Sequence, residues 1–357
     1  MTGAKGYSSY RGRGPRWKIL LAVFLVLVIA VAVSVIYLGE HMVYSADGRR
    51  QIVLPWQTER NDPQPPGEEK NPNSGPDVSV TVQEPEPQGP RETAAGSLPA
   101  QALTMASWTE WRGRAENQDF NAVAVRLKTT NGSVYFDSAS AVSGAVETEL
   151  DTAAALAAVT AQEGLHTIAS VACLQDFKAA NADVEGRGLK NTGGYIFYDG
   201  NNNLWLDPAK PSTREYVCAL AKEIAELGFD ELLLTDLSYP TEGKINKIYY
   251  NTDVPLANNL DLLLGELRTA LEPYDILLSV EVPESVIAEG PDTVAGLDLN
   301  RLAARVDRIY AATALERVET LANLVAQAAG ENGKTEFVPE LAAGGPAPAG
   351  SRLILAE

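Results

Sequence analysis

From about residue 100 onward, short apolar runs alternate with longer segments in which apolar positions recur every three or four residues. Runs of roughly four to eight apolar residues bounded by turn signals read as buried strands, and a period near 3.6 reads as a helix with one buried face. Strands are therefore expected at 101–106, 121–127, 166–174, 231–236, 276–282, 308–312, 336–338 and 353–355. Helices are expected at 152–162, 212–227, 259–271 and 316–329. The second of these opens on Ser212 with Glu215 three residues later, a capping-box pattern, and is closed by Gly228. Strands alternating with helices call for a parallel sheet. Eight of them suggest an α/β fold of the (β/α)8 TIM-barrel type, about 250 residues in its usual size. The Gly/Pro-rich stretch 342–350 and the chain end leave one or two outer helices of that barrel unaccounted for.

Upstream the pattern changes. Residues 19–38 read ILLAVFLVLVIAVAVSVIYL without a charge, and about 20 apolar residues span a hydrocarbon core of roughly 30 Å. This predicts a single transmembrane helix with Trp17 and Tyr37 at its interfaces. Its length exceeds the apolar region of a cleaved signal peptide. Residues 1–18 contain Lys5, Arg11, Arg13, Arg16 and Lys18 and no acid, so the N-terminus is expected in the cytoplasm and the body outside it. Residues 39–97, rich in Pro, Glu, Gln, Gly and Asn, read as a disordered extracytoplasmic linker. At about 3.1 Å per extended residue it would hold the barrel, 98–357, well away from a cell membrane.

Composition narrows the chemistry. The formal charge of −18 argues against nucleic acid, because phosphate binding needs clustered Lys and Arg. Two histidines, His41 and His166, are too few for a histidine metal site or a serine-hydrolase triad. Cys173 and Cys218 sit among apolar neighbours and read as buried free thiols. The stretch 199–203, Asp-Gly-Asn-Asn-Asn, lacks the spacing of an EF-hand loop and reads as a turn. No metal or cofactor is expected.

Two expected strands end on carboxylates, Asp236 and Glu281. In a β/α barrel such strand ends form the catalytic face, and glycoside hydrolysis needs two carboxyl groups about 5–5.5 or about 6.5–9.5 Å apart. Glu281 follows the apolar run ILLSV, surroundings suited to a proton donor. Asp236 would be the nucleophile. Strand alternation sets a condition on it: if Thr235 points to the mouth, Asp236 points to the helices unless a bulge re-aims it. Otherwise Asp236 caps the next loop and Glu281 merely ends a strand before Pro283. Tyr195, Phe197, Tyr198 and Trp205, among Asn201, Asn202, Asn203 and Asp207, together with Tyr239, Tyr249 and Tyr250, supply flat rings and polar rims for a sugar. The alternative is that they pack the loops onto the barrel. Trp205, Asp207, Tyr198 and Tyr239 are the substrate-binding candidates from this set.

The segments FNAVAVRLKTTNG (120–132), HTIASVACLQD (166–176), LWLDP (204–208) and GFDELLLTDLSYP (228–240), in that order, resemble the glycosyl hydrolase domain family of unknown function found in membrane-anchored bacterial proteins. Asn121, Lys128, Gly132, Asp176, 205–208, 228–231 and Pro240 agree with its pattern, over roughly 120–310. The resemblance implies a barrel similar to glycosidases of the α-amylase type, with acids at the ends of strands four and five. It adds Lys128 and Asp176 to the substrate-binding candidates. The departures fall at strand ends: Arg126 stands for an Asp in the second strand, Ser170 for an Arg in the third, Thr235 for an Asp and Ser238 for an Arg in the fourth. Glu281 keeps an acid at the Asp position of the fifth. Two readings follow. One is a membrane-anchored, extracytoplasmic glycoside-hydrolase-like protein acting on a cell-surface or environmental polysaccharide. The other is an inactive relative that binds cell-wall glycan or an envelope partner.

Overall fold

The computed structural model describes residues 42–44, 50–52, 95–99, 102–117, 120–147, 150–251, 253–330, 333–342 and 352–354. The transmembrane helix expected at 19–38 and the basic tail at 1–18 lie outside the described residues. So do most of the linker and the stretches 343–351 and 355–357, where outer helices are expected to be missing. Met42–Tyr44 and Arg50–Ile52 form an antiparallel pair of their own.

The remaining strands curl into a parallel α/β sheet: β1 (Ala95–Pro99), β2 (Ala122–Lys128), β3 (His166–Ala172), β4 (Glu231–Thr235), β5 (Leu277–Glu281), β6 (Arg308–Ala312), β7 (Glu336–Ala342) and β8 (Arg352–Ile354). Seven run side by side from β1 to β7, and β8 closes the ring through one residue pair with β1, Arg352 with Ala95. Between them lie α1 (Met105–Asn117), α2 (Leu150–Thr160), α3 (Phe177–Ala182), α4 (Pro211–Glu226), α5 (Leu256–Leu271), α6 (Glu284–Ala288), α7 (Leu299–Ala303) and α8 (Val318–Ala329).

The first strand is not at 101–106. That stretch leads into α1, whose Trp108, Trp111 and Ala115 repeat at helical spacing and are buried. The two indoles stack with centroids 5.5 Å apart, and Trp111 continues the stack onto Phe120. The strand itself, Ala-Gly-Ser-Leu-Pro, pairs residue by residue with β2. Gly96 makes that layer possible, because a Cβ there would stand 3.1 Å from the rings of both Trp111 and Phe120. The capping box at Ser212 also does not form. The N-cap of α4 is Lys210, with no side-chain hydrogen bond, and Pro211 takes the first turn, where its fixed φ and missing N–H suit it.

Strand alternation separates two cores. Val123, Val125, Ala169, Val171, Leu232, Leu234, Leu278, Val280, Ile309 and Ala311 pack outward against the helices. Ala122, Ala124, Ile168, Leu233, Tyr310 and Val338 form a second apolar cluster on the inner face. The same inward parity carries Glu231, His166, Ser279 and Arg308, all buried. Glu231 Oε1 accepts from Ser279 Oγ (2.6 Å) and from the Tyr310 hydroxyl (2.8 Å). Its Oε2 accepts from Arg308 Nη1 (2.9 Å) and lies 2.7 Å from His166 Nε2. Glu231, His166 and Arg308 each begin their strands, so this network fills the end of the barrel where residues serve stability.

Burial alone would raise the Glu231 pKa. The His166 hydrogen bond, the Arg308 charge and the Ser279 hydroxyl outweigh it and hold the carboxyl below its ordinary 4.5. Arg308→Met is expected to leave the buried Glu231 carboxylate without its guanidinium partner and to destabilise the fold by about 3–5 kcal/mol in urea unfolding. A lowered folded pKa contributes stability that is complete above about pH 4.5 and fades as pH falls through the folded value. The stability gap between wild type and Arg308→Met should therefore be full at neutral pH and shrink on acidification below about pH 4.5. A gap that stayed constant down to pH 2 would rule out this linkage.

Candidate functional site

The two candidate carboxylates sit at the C-terminal ends of neighbouring strands. β4 and β5 pair in register through Leu233 with Ser279 and Leu234 with Val280. Ser279 faces inward, so alternation gives Glu281 the same direction, at the end of β5 and half-buried. Thr235 shares the inward parity of Glu231 and Leu233. The fourth strand thus presents a hydroxyl in the layer where the fifth presents a carboxylate.

Asp236 follows with φ +52, one of two non-glycine residues with positive φ among the described residues. Aspartate is one of the few residues that visits this region, and such outliers cluster at functional turns. No bulge is registered in β4; the alternation ends because the backbone becomes left-handed. Thr235 Oγ1 donates to Asp236 Oδ2 (2.8 Å), and the Asp236 carbonyl accepts from Leu174 N (3.2 Å). Cys173 lies on the helix-facing side of β3, its thiol pushed up to about 12 chiefly by burial, with the Asp236 charge contributing. Asp236 is therefore within electrostatic reach of the helix layer. The one register irregularity among the paired barrel strands falls elsewhere, between Arg126 and Lys128 of β2.

Lys128 and Asp176 are brought together, but away from solvent. Their ion pair is 2.9 Å long, with side chains 2% and 0% exposed. Lys128 Nζ also donates to the Ala172 carbonyl (2.6 Å). Asp176 caps α3 through Ala179 N (2.8 Å) and accepts from the Tyr216 hydroxyl (3.2 Å). Gly132 is required beside them: its φ is +88, and a Cβ would collide with Asp176 Oδ1 and stand 2.8 Å from Lys178 Cβ. These residues position the turn after β3 and do not line an open site.

The aromatic candidates divide in the same way. Trp205 is buried, and its indole N–H donates to Asp199 Oδ2 (3.0 Å). Burial would raise the Asp199 carboxyl, but donors from Asn203, Trp205 and Asn201 hold it below the usual range, so this stretch is a self-satisfied turn. Tyr239 is also buried, its hydroxyl accepting from Asn259 Nδ2 (3.0 Å) and its ring meeting Tyr250 edge-on. Tyr198 stays open, 49% exposed, as do Tyr195 and Tyr249.

Asp207 is 1% exposed, yet it lines a cleft of about 180 Å³ with Glu185, Lys190, Lys210, Tyr249 and Asn251. Burial pushes its carboxyl up, against a backbone hydrogen bond and the Lys210 and Arg214 charges. Glu185, Lys190 and Lys210 escape a reading of the sequence, because none stands at a strand end. What unites them is the two-residue antiparallel ribbon of Lys190–Asn191 with Ile248–Tyr249, which joins the loops after β3 and β4.

Comparison with known proteins agrees with this architecture. A family model described as "Putative glycosyl hydrolase domain" matches residues 103–312. No curated protein matches the chain in sequence. Among solved structures, the glycoside hydrolase domain of PgaB (BpsB) from Bordetella bronchiseptica is similar with a TM-score of 0.51 and 13% identity, covering 70% of this chain and 84% of that one. A hypothetical protein from Ruminiclostridium thermocellum has a TM-score of 0.44 and 22% identity, covering 52% and 95%. At 13% identity the likeness to the PgaB domain concerns the fold.

Asp176→Asn keeps an acceptor for Ala179 N but strips Lys128 of its counter-charge in a dry site. It is expected to lower stability by about 3–5 kcal/mol, measured as the unfolding free energy in denaturant; a change below about 1 kcal/mol would contradict a buried pair.

Proposed function

The chain belongs to the glycosyl hydrolase domain family whose model covers residues 103–312, more than half of it, and on that basis we propose that the barrel mouth engages a polysaccharide through Glu281 and Asp236. The observation that carries this reading is the register of β4 and β5, which brings the two chain exits that bear these acids side by side. Neighbouring strands lie about 4.8 Å apart, the scale on which paired carboxylates of glycosidases work. In this reading Glu281 donates a proton to the leaving oxygen, and Asp236, turned by its left-handed backbone, attacks or activates water. Tyr198 offers an open ring within the loop after β3. Lys128, Asp176, Trp205 and Tyr239 support the site from beneath without touching a sugar. We further propose that residues 19–38 anchor the protein in a membrane with the barrel outside the cytoplasm, the reading supported by their uncharged run and the basic residues before it.

One observation favours the non-catalytic alternative, in which the same mouth binds glycan without cleaving it. Thr235 occupies the inward position at the end of β4, and its hydroxyl is bonded to the Asp236 carboxylate.

Incubation of the full chain with a panel of polysaccharides separates the two. If the acids act, reducing ends accumulate, and Glu281→Gln lowers the rate by about 10²–10⁴-fold; an unchanged rate removes Glu281 from the mechanism. Retention on a polysaccharide without turnover favours the binder. For the anchor, the full chain should sediment with membranes, and a chain lacking 19–38 should not; equal sedimentation of both would end that part of the proposal.

A further inference from the structure

Beside the ribbon that joins the loops after β3 and β4 lies the cleft walled by Asp207, Lys210, Glu185, Lys190, Tyr249 and Asn251. Most of its polar groups are already engaged. Lys210 Nζ donates to the carbonyls of Gly188 (2.6 Å) and Val184 (3.1 Å), and Lys190 Nζ donates to Glu185 Oε2 (2.8 Å). Asp207 differs. Its Oδ1 accepts from Ala209 N (3.0 Å), while Oδ2 takes no hydrogen bond from the described residues. The residue is 1% exposed, and this oxygen keeps its access through the cleft, so its donor has to come from whatever occupies the cleft. Tyr249 is 54% exposed at the same cleft, with its ring against no described aromatic partner.

The lining selects the occupant. Two acids face two lysines, so the charges cancel and neither an anion nor a cation is favoured. The volume of about 180 Å³ falls below the roughly 300–1,000 Å³ of pockets for drug-sized ligands, which limits the occupant to one small unit. A buried acceptor, rim donors and one flat ring are the complement of a neutral molecule with hydroxyls on its edge and C–H groups on its face. We propose that this cleft is a subsite for a single neutral pyranose unit of a glycan, separate from the strand-end acids, with Tyr249 under the ring and Asp207 Oδ2 accepting from a sugar hydroxyl. The ligand class rests on the glycan reading of the mouth; the site rests on its own geometry.

The test is a ligand-observed NMR titration of the full chain with methyl β-D-glucopyranoside and with N-acetylglucosamine. Tyr249→Ala and Asp207→Asn are each expected to weaken the affinity by roughly tenfold or more, the scale of one hydrogen bond to a charged group. Asparagine retains an oxygen for Ala209 N, and Tyr249 is half in solvent, so both variants should keep the wild-type unfolding midpoint; agreement on that point qualifies the comparison. Affinity unchanged in both variants overturns the subsite, as does failure of the wild type to bind either sugar. Displacement of the sugar by inorganic phosphate would show an anion site instead and also overturn it. A signal lost in Glu281→Gln but kept in both cleft variants would move binding to the mouth, ending the subsite while leaving the reading of the mouth intact.

Discussion

A carboxylate sealed inside a barrel must have its lone pairs answered from within, and at Glu231 the answer ties four strands together. The donors come from β3 (His166), β5 (Ser279) and β6 (Arg308 and Tyr310). An apolar layer would tolerate small slips between these strands, whereas a charge ringed at 2.6–2.9 Å by four groups does not. Breaking such a set is expensive even where its net contribution to stability is small. The relative heights of β3 to β6 are thereby fixed at one end, and the side chains at their other ends inherit that alignment.

At the mouth the same economy of polar groups divides the rim. On the side of β2 and β3, Lys128, Asp176 and Tyr216 consume one another and the end of α3, leaving a closed, load-free surface. On the side of β4 and β5, the chain leaves the sheet through a left-handed aspartate and a half-buried glutamate. The two halves of the rim thus differ in build: one is closed by a buried ion pair, the other ends in strand-end acids.

Strands β3 to β6 were legible in the sequence because burial on both faces produces continuous apolar runs of strand length. β1 was not, since Ala-Gly-Ser-Leu-Pro has the composition of the linker before it; only its pairing with β2 makes it a strand, and that pairing is non-local. α1 announces itself through Trp108, Trp111 and Ala115, but a strand reading of 101–106 sits across its start. Acids at the ends of β4 and β5 could be found by spacing alone. Which aromatics are open could not, because a buried Trp205 and an exposed Tyr198 look alike until the partner of each ring is known. Glu231 and Arg308 hid for the opposite reason: a charged residue opening a strand ordinarily signals solvent.

The ribbon of Lys190–Asn191 with Ile248–Tyr249 has only two residue pairs, yet it bridges two excursions that a barrel normally leaves independent. Joined in this way, the loops after β3 and β4 are held to each other through their backbones, so a displacement that lifted one would pull on the other. Insertions or deletions in either loop must then be matched in its partner to preserve the splice, so the two should diverge as a unit while the strands beneath them hold still.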